Sequence, residues 1–115
     1  MKHYALLFRS TRTLTAEELK QRTLDIAGWV KLVTDMGITL DPRNFGATEG
    51  HFSTKGNEVI SREESGDSAL TTVVFFDASS QDQAIDIARM HPGLQYGVTV
   101  ELREWTSPRD TAARS

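Results

Sequence analysis

The chain has 115 residues, 38% of them hydrophobic and 25% charged, with a formal net charge of -3 and no cysteine. That length holds one core, which excludes two domains, and the lack of cysteine excludes disulfides, thiol catalysis and thiolate metal sites. The negative charge and a pI near 5.5 argue against a phosphate-binding surface, and no apolar run reaches the ~18 residues of a membrane-spanning helix, so a cytoplasmic protein with no nucleic-acid or membrane partner is expected.

Residues 2–9 read as the first strand. Tyr4, Leu6 and Phe8 form one face and His3, Ala5, Leu7 and Arg9 the other. Both faces are largely apolar, which marks a strand central in its sheet and leaves open which side is inward. A helix follows with a well-marked start: Thr15 can cap, Glu18 completes a capping box, and Leu14 with Leu19 makes a hydrophobic staple. Leu19, Ile26, Val30 and Val33 share a stripe that Trp29, Leu32 and Met36 widen, so the helix is expected to pack broadly until Gly37 offers a left-handed stop. Gly28 in its interior reads either as a close approach by a neighbour or as simple tolerance.

Periodicity is lost over residues 38–49. Asp41-Pro42 and Arg43-Asn44 read as turn chemistry, and residues 45–49 as a short strand or ordered loop. Residues 50–54 and 58–62 flank Gly56-Asn57 as a hairpin, and residues 63–68, EESGDS, as an acidic surface loop. Residues 70–77, LTTVVFFD, are too apolar for an edge and belong in the middle of the sheet. Ser79 or Ser80 caps a second helix, Ser80 and Gln83 being spaced as a capping box, with Ala84, Ile85 and Ala88 inward, and Pro92 ends it, placing His91 at its end or just beyond, ordered yet reachable. The last strand runs to Trp105, with Val98, Val100 and Leu102 on one side and Thr99, Glu101, Arg103 and Trp105 on the other. Residues 106–115 form a polar tail expected to fray.

This order describes an α+β protein, most economically a ferredoxin-like βαββαβ sandwich with a mostly antiparallel sheet and two helices on one face. One domain covers residues 1–105. The other sheet face is left bare and must meet solvent, a ligand or a second copy, so a homodimer is expected. If Val98, Val100 and Leu102 meet the helices, Glu101, Arg103 and Trp105 lie on the bare face.

KHYALLFR followed by LTAEEL, the helix bearing Trp29, the FFDASSQDQAIDIARMHP stretch and GVTVELREW together resemble the YCII-related family, small proteins often called DGPF-domain proteins, over residues 1–105. The resemblance implies a dimeric α/β barrel in which two open sheet faces come together. Most members are uncharacterised, and a few are similar to lactone-processing or dehalogenating enzymes. The chain departs from the pattern at two places: REESGD at residues 62–67 stands where Asp-Gly-Pro-Phe is expected, and the first helix lacks the histidine that some members carry.

The candidate site residues each have two readings. His91 could act as general acid or base or could cap the last helical carbonyls. Glu101 and Arg103 could bind a small anion or form an intersubunit ion pair, and Arg9 could add positive charge or be a solvated strand end. Trp29 and Phe45 could line a pocket or pack the core. His3 and His51 lack a carboxylate or histidine at ligand spacing, so neither a metal nor a cofactor is expected. Ser53, Ser61 and Ser65 have no nucleophile-elbow context. The leading expectation is a small organic acid bound or transformed between the bare sheet face and residues 38–49, with His91 as acid or base and Arg9 and Arg103 holding the anion. The alternative is a non-catalytic dimerisation or ligand-sensing module on the same surface. An RNA-binding sheet shares the βαββαβ order, but residues 71–77 lack the Lys/Arg-Gly-aromatic pattern.

Overall fold

A computed structural model of the chain describes residues 1–61 and 69–109. The acidic loop at 63–68 and the tail beyond 109 lie outside the described residues. The elements are β1 (Lys2–Ser10), α1 (Ala16–Asp35), β2 (Asp41–Asn44), β3 (Phe52–Lys55), β4 (Glu58–Ser61), β5 (Leu70–Ala78), α2 (Gln81–Arg89), a 3-10 segment (Pro92–Tyr96) and β6 (Val98–Glu104).

Four strands form one sheet in the order β2-β5-β1-β6, every neighbouring pair antiparallel. β1 and β2 therefore run parallel with β5 inserted between them, the split βαβ arrangement of a ferredoxin-like sandwich. Both strands read as central are central. β3 and β4 pair with each other as a separate hairpin around Gly56, whose φ of 64° needs no Cβ to be avoided.

The start of α1 is the capping box expected. Thr15 Oγ1 accepts from the Glu18 N–H, and Glu18 Oε1 accepts from the Thr15 N–H, each at 3.1 Å. Arg12 adds two bonds to the Glu18 carboxylate at 2.9 and 3.2 Å, and these bonds, ahead of the Thr15 backbone bond, hold its pKa down to about 2. Gly37, at φ 84°, closes the helix by donating to Thr34 O. A Cβ on Gly28 would meet nothing within 4 Å, so this glycine is tolerated without a close neighbour.

The core lies between one sheet face and the two helices. Tyr4, Leu6 and Phe8 face it from β1, Val74, Phe76 and Ala78 from β5, and Trp29, Val33, Ala84 and Ile87 from the helices, with Val98, Val100 and Leu102 packed alongside. Register explains the choice of face. Leu6 stands opposite both Val74 and Leu102, so three apolar side chains line up across the sheet.

Three expectations are corrected here. α1 does not pack broadly: Leu19, Val30, Leu32 and Met36 are exposed, and the inward line is Arg22, Ile26, Trp29 and Val33, because the helix meets its neighbours along a narrower contact than its apolar content suggests. In α2 Ala84 is fully buried as expected, but the second fully buried residue is Ile87 rather than Ile85, which is half-buried. The strand in the irregular stretch falls on Asp41–Asn44 and not on residues 45–49. Pro42 is tolerated there because β2 is an edge strand.

Candidate functional site

A cavity of about 520 Å³ lies between α1 and the helix-side face of the sheet. Phe8, Thr72, Val74 and Val98 give it a floor, Arg22, Ile26 and Trp29 a roof, His91 and Gly93 one side, and Ser10, Thr71 and Asn44 its polar margin. The spacing of Arg22, Ile26 and Trp29 by four and three residues places all three on one helix face.

Trp29 is held at both ends of its ring system. Its Nε1–H donates to Ile87 O in α2 at 3.2 Å, and its ring meets His91 edge-on with centroids 4.6 Å apart. Phe8 packs on His91 from the sheet, centroids 4.5 Å apart. His91 is only 8% exposed, so it is buried rather than reachable from bulk solvent. The reason is that the helix end at Met90 turns the chain into the sandwich, where the residue caps the 3-10 segment: Nδ1 accepts the Gly93 N–H at 3.0 Å. Gly93 is required at that spot, since a Cβ would come within 2.9 Å of Nδ1.

Burial first, and the positive charge of Arg22 second, push the His91 pKa down to about 4. The ring is therefore neutral at pH 7. With Nδ1 accepting, its proton sits on Nε2, and the group offers a hydrogen-bond donor.

Arg22 is the unusual member of the set. Its Nε is buried with no hydrogen-bond partner, and among the described residues its guanidinium has no ion pair. A guanidinium left in this way beside a cavity is a site for an anion, because planar N–H groups bond carboxylates with charge assistance.

The roof is tied to the side wall. Tyr96 Oη donates to Asp25 Oδ2 at 2.6 Å, and Gln21 Nε2 donates to Oδ1 at 2.9 Å. The Tyr96 bond, then the Gln21 bond, lowers the Asp25 pKa, and the same bond raises that of Tyr96. The Arg12 side chain lies against Gly97, where a Cβ would come within 2.7 Å of it. These contacts hold the first half of α1 against the 3-10 segment and set the width of the cavity between them.

The residues expected to form one site are divided by the sheet. Trp29 and His91 line the cavity. Arg9, Glu101 and Arg103 lie on the opposite face, where Arg9 Nη1 bonds Glu101 Oε1 at 2.7 Å and Arg103 Nε stands 3.7 Å from Oε2. Glu101 thus pairs with both arginines, and neither can reach a ligand that His91 touches within one chain. Phe45 is half exposed and outside the cavity lining, its N–H extending the β2–β5 ladder to Thr71 O. The cavity is therefore on the helix side and not beside the other sheet face, where Ala5 and Val73 are themselves buried. Strand alternation makes this unavoidable, since odd-numbered β1 residues point away from the helices that carry Trp29 and His91.

Two further placements could not be foreseen from spacing. His3 Nδ1 meets Asp77 Oδ1 at 2.5 Å across the β1–β5 pair, and its ring stacks on Trp105, centroids 4.6 Å apart. Arg22 and Asn44 went unnoticed as site residues; the signal for Arg22 is a cation on the same helix face as Trp29.

No family model matches the chain, and no curated protein matches it. Among the described residues no helix is long and apolar enough to cross a membrane, and no group of three His, Cys, Asp or Glu side chains could hold a metal ion.

Proposed function

We propose that the protein is a YCII-related homodimer that binds a small organic acid in the cavity beneath α1, with the carboxylate held by Arg22 and the Nε2–H of His91. The observation that carries this reading is the buried, unpartnered Nε of Arg22 beside a cavity whose apolar walls are Phe8, Ile26, Trp29, Val74 and Val98. A bound anion supplies the missing partner. Binding is favoured over transformation by the lining itself. Its only ionisable side chains among the described residues are Arg22 and His91, and both are donors at pH 7. That supports the ligand-sensing alternative over an acid–base enzyme.

Charge-assisted hydrogen bonds contribute about 1.5 to 3 kcal/mol. Replacing Arg22 by Ala should therefore weaken retention of small carboxylates by about tenfold or more in calorimetric titration, with circular dichroism unchanged. Equal affinity in the two proteins would take Arg22 out of the site.

The dimer rests on the other sheet face. Ala5, Leu7, Val73 and Phe75 make an apolar centre there, Ala5 and Val73 buried and Leu7 and Phe75 half-buried, bordered by the Arg9–Glu101 and His3–Asp77 pairs, with Trp105 against Phe75. A second copy offers the same apolar centre with both signs of charge around it. Light scattering at micromolar concentration should return twice the chain mass; a monomer mass would end this part of the proposal.

A further inference from the structure

We infer that Arg12 and Tyr96 are positioning residues for the acid site: they occupy the two carboxylates of α1 that would otherwise pair with Arg22, and so keep its guanidinium free for a ligand. This deepens the reading of the cavity as an acid site and depends on it.

On a helix, side chains three and four residues apart are neighbours, and a Glu four residues ahead of an Arg is the favourable order for an ion pair. Arg22 has an acid at two such positions, Glu18 four residues before it and Asp25 three residues after it; the other two hold Leu19 and Ile26. Local rules would make Arg22 a neutralised surface cation. Instead it has no ion pair among the described residues, and its Nε is buried where the side chain lines the cavity.

The reason lies in where the carboxylate oxygens turn. Glu18 Oε1 accepts from the Thr15 N–H at 3.1 Å and from Arg12 Nη1 at 3.2 Å, and Oε2 accepts from Arg12 Nη2 at 2.9 Å. Asp25 Oδ1 accepts from Gln21 Nε2 at 2.9 Å and Oδ2 from Tyr96 Oη at 2.6 Å. All four oxygens therefore have a donor other than Arg22. The electrostatics agree. Arg12 and then Thr15 lower the pKa of Glu18, and Tyr96 and then Gln21 that of Asp25, whereas the charge of Arg22 is felt at His91, where it adds to the effect of burial.

Arg12 and Tyr96 reach these acids from outside α1, Arg12 from the segment before it and Tyr96 from the 3-10 segment, and neither lines the cavity. Without the phenol hydroxyl, Asp25 Oδ2 loses its donor, and the cation at ion-pair spacing on its own helix is Arg22. Without the Arg12 guanidinium the same holds for Glu18. A ligand carboxylate would then have to displace an intrahelical acid, and the strength of partly exposed pairs sets that penalty at about two- to fivefold in affinity.

Calorimetric titration at pH 7 with hexanoate and with benzoate tests this as two double-mutant cycles, which cancel the general effect of changing a nearby charge. Tyr96→Phe should weaken acid binding by about two- to fivefold, and Asp25→Asn should strengthen it by that factor more in the Tyr96→Phe protein than in the unaltered one. Arg12→Met keeps the stem that lies against Gly97 and should weaken binding likewise. Glu18→Gln should then restore it, since Gln at this position still completes the capping box. If the ties acted only by holding the width of the cavity, removing the carboxylate could not restore binding, because the doubly altered proteins lack the tie as well. Single variants that bind as tightly as the unaltered protein, or cycles without coupling, would overturn the inference; the acid site would still stand if Arg22→Ala weakens binding. Failure of the unaltered protein to bind either acid would remove both. The two cycles use different residues, so if one variant does not fold the other cycle decides.

Discussion

Lowering the pH from about 6.5 to 4 is expected to cost the protein roughly 3 kcal/mol of folding stability through His91 alone, at about 1.36 kcal/mol per unit of pKa difference. The unfolded chain binds a proton at this imidazole near pH 6.5, whereas the native chain resists it until about 4. Between those values the unfolded state carries more protons, so stability rises with pH through the window. It is fully present above about 6.5 and gone below about 4. Desolvation is the main cause, and only 8% of the residue reaches solvent. Glu18 and Asp25 also lose stabilising bonds in acid, but their lowered pKa values place that loss below the ordinary carboxylate range. The difference between the unaltered protein and a variant lacking this imidazole, over the interval from 6.5 to about 4.5, therefore reports His91. Urea unfolding midpoints across that interval should fall more steeply for the unaltered protein than for His91→Asn, whose side chain can still accept the Gly93 N–H. Parallel curves would mean that the imidazole is hydrated in the native state. At neutral pH the same depression keeps the ring an uncharged donor, as the proposed acid site requires.

Removing Trp29 should be the costliest single change in the cavity, about 3 to 5 kcal/mol for Trp29→Ala. The ring is 6% exposed and forms part of both the core and the cavity roof. Its loss would leave the Ile87 carbonyl without its indole donor and take one of two aromatic walls from His91. Trp29→Phe keeps a ring there and loses the hydrogen bond, so it should cost nearer 1 kcal/mol. Chemical denaturation of the two variants separates packing from hydrogen bonding. Near-equal costs would assign the stability to the N–H···O bond alone. Phe45→Ala is a suitable control, being half exposed and away from the cavity.

Much of the fold was legible because it is written in short-range chemistry. Thr15 with Glu18, Ser80 with Gln83, Gly37, and Gly56-Asn57 each satisfy backbone groups within four residues, so their roles do not depend on the rest of the chain. The alternation of Val98, Val100 and Leu102 against Glu101 and Arg103 was equally readable, since a strand has a period of two wherever it lies. Asp41–Asn44 was misread because an edge strand needs only one partner, and β5 supplies it to a sequence whose own preference is a turn.

Apart from β2 and the 3-10 segment, the amino-acid order alone thus established the elements, their succession and the alternation of residues within each strand. It could not say which face of β1 turns inward, because both are apolar and the choice rests on Val74 and Leu102 aligning with Leu6 from distant parts of the chain. Nor could it bring Arg22 to His91 or set Arg103 beyond the sheet from both. Those relations arise only when separate elements bury their faces together, since periodicity orients a side chain about its own axis and packing orients the axis.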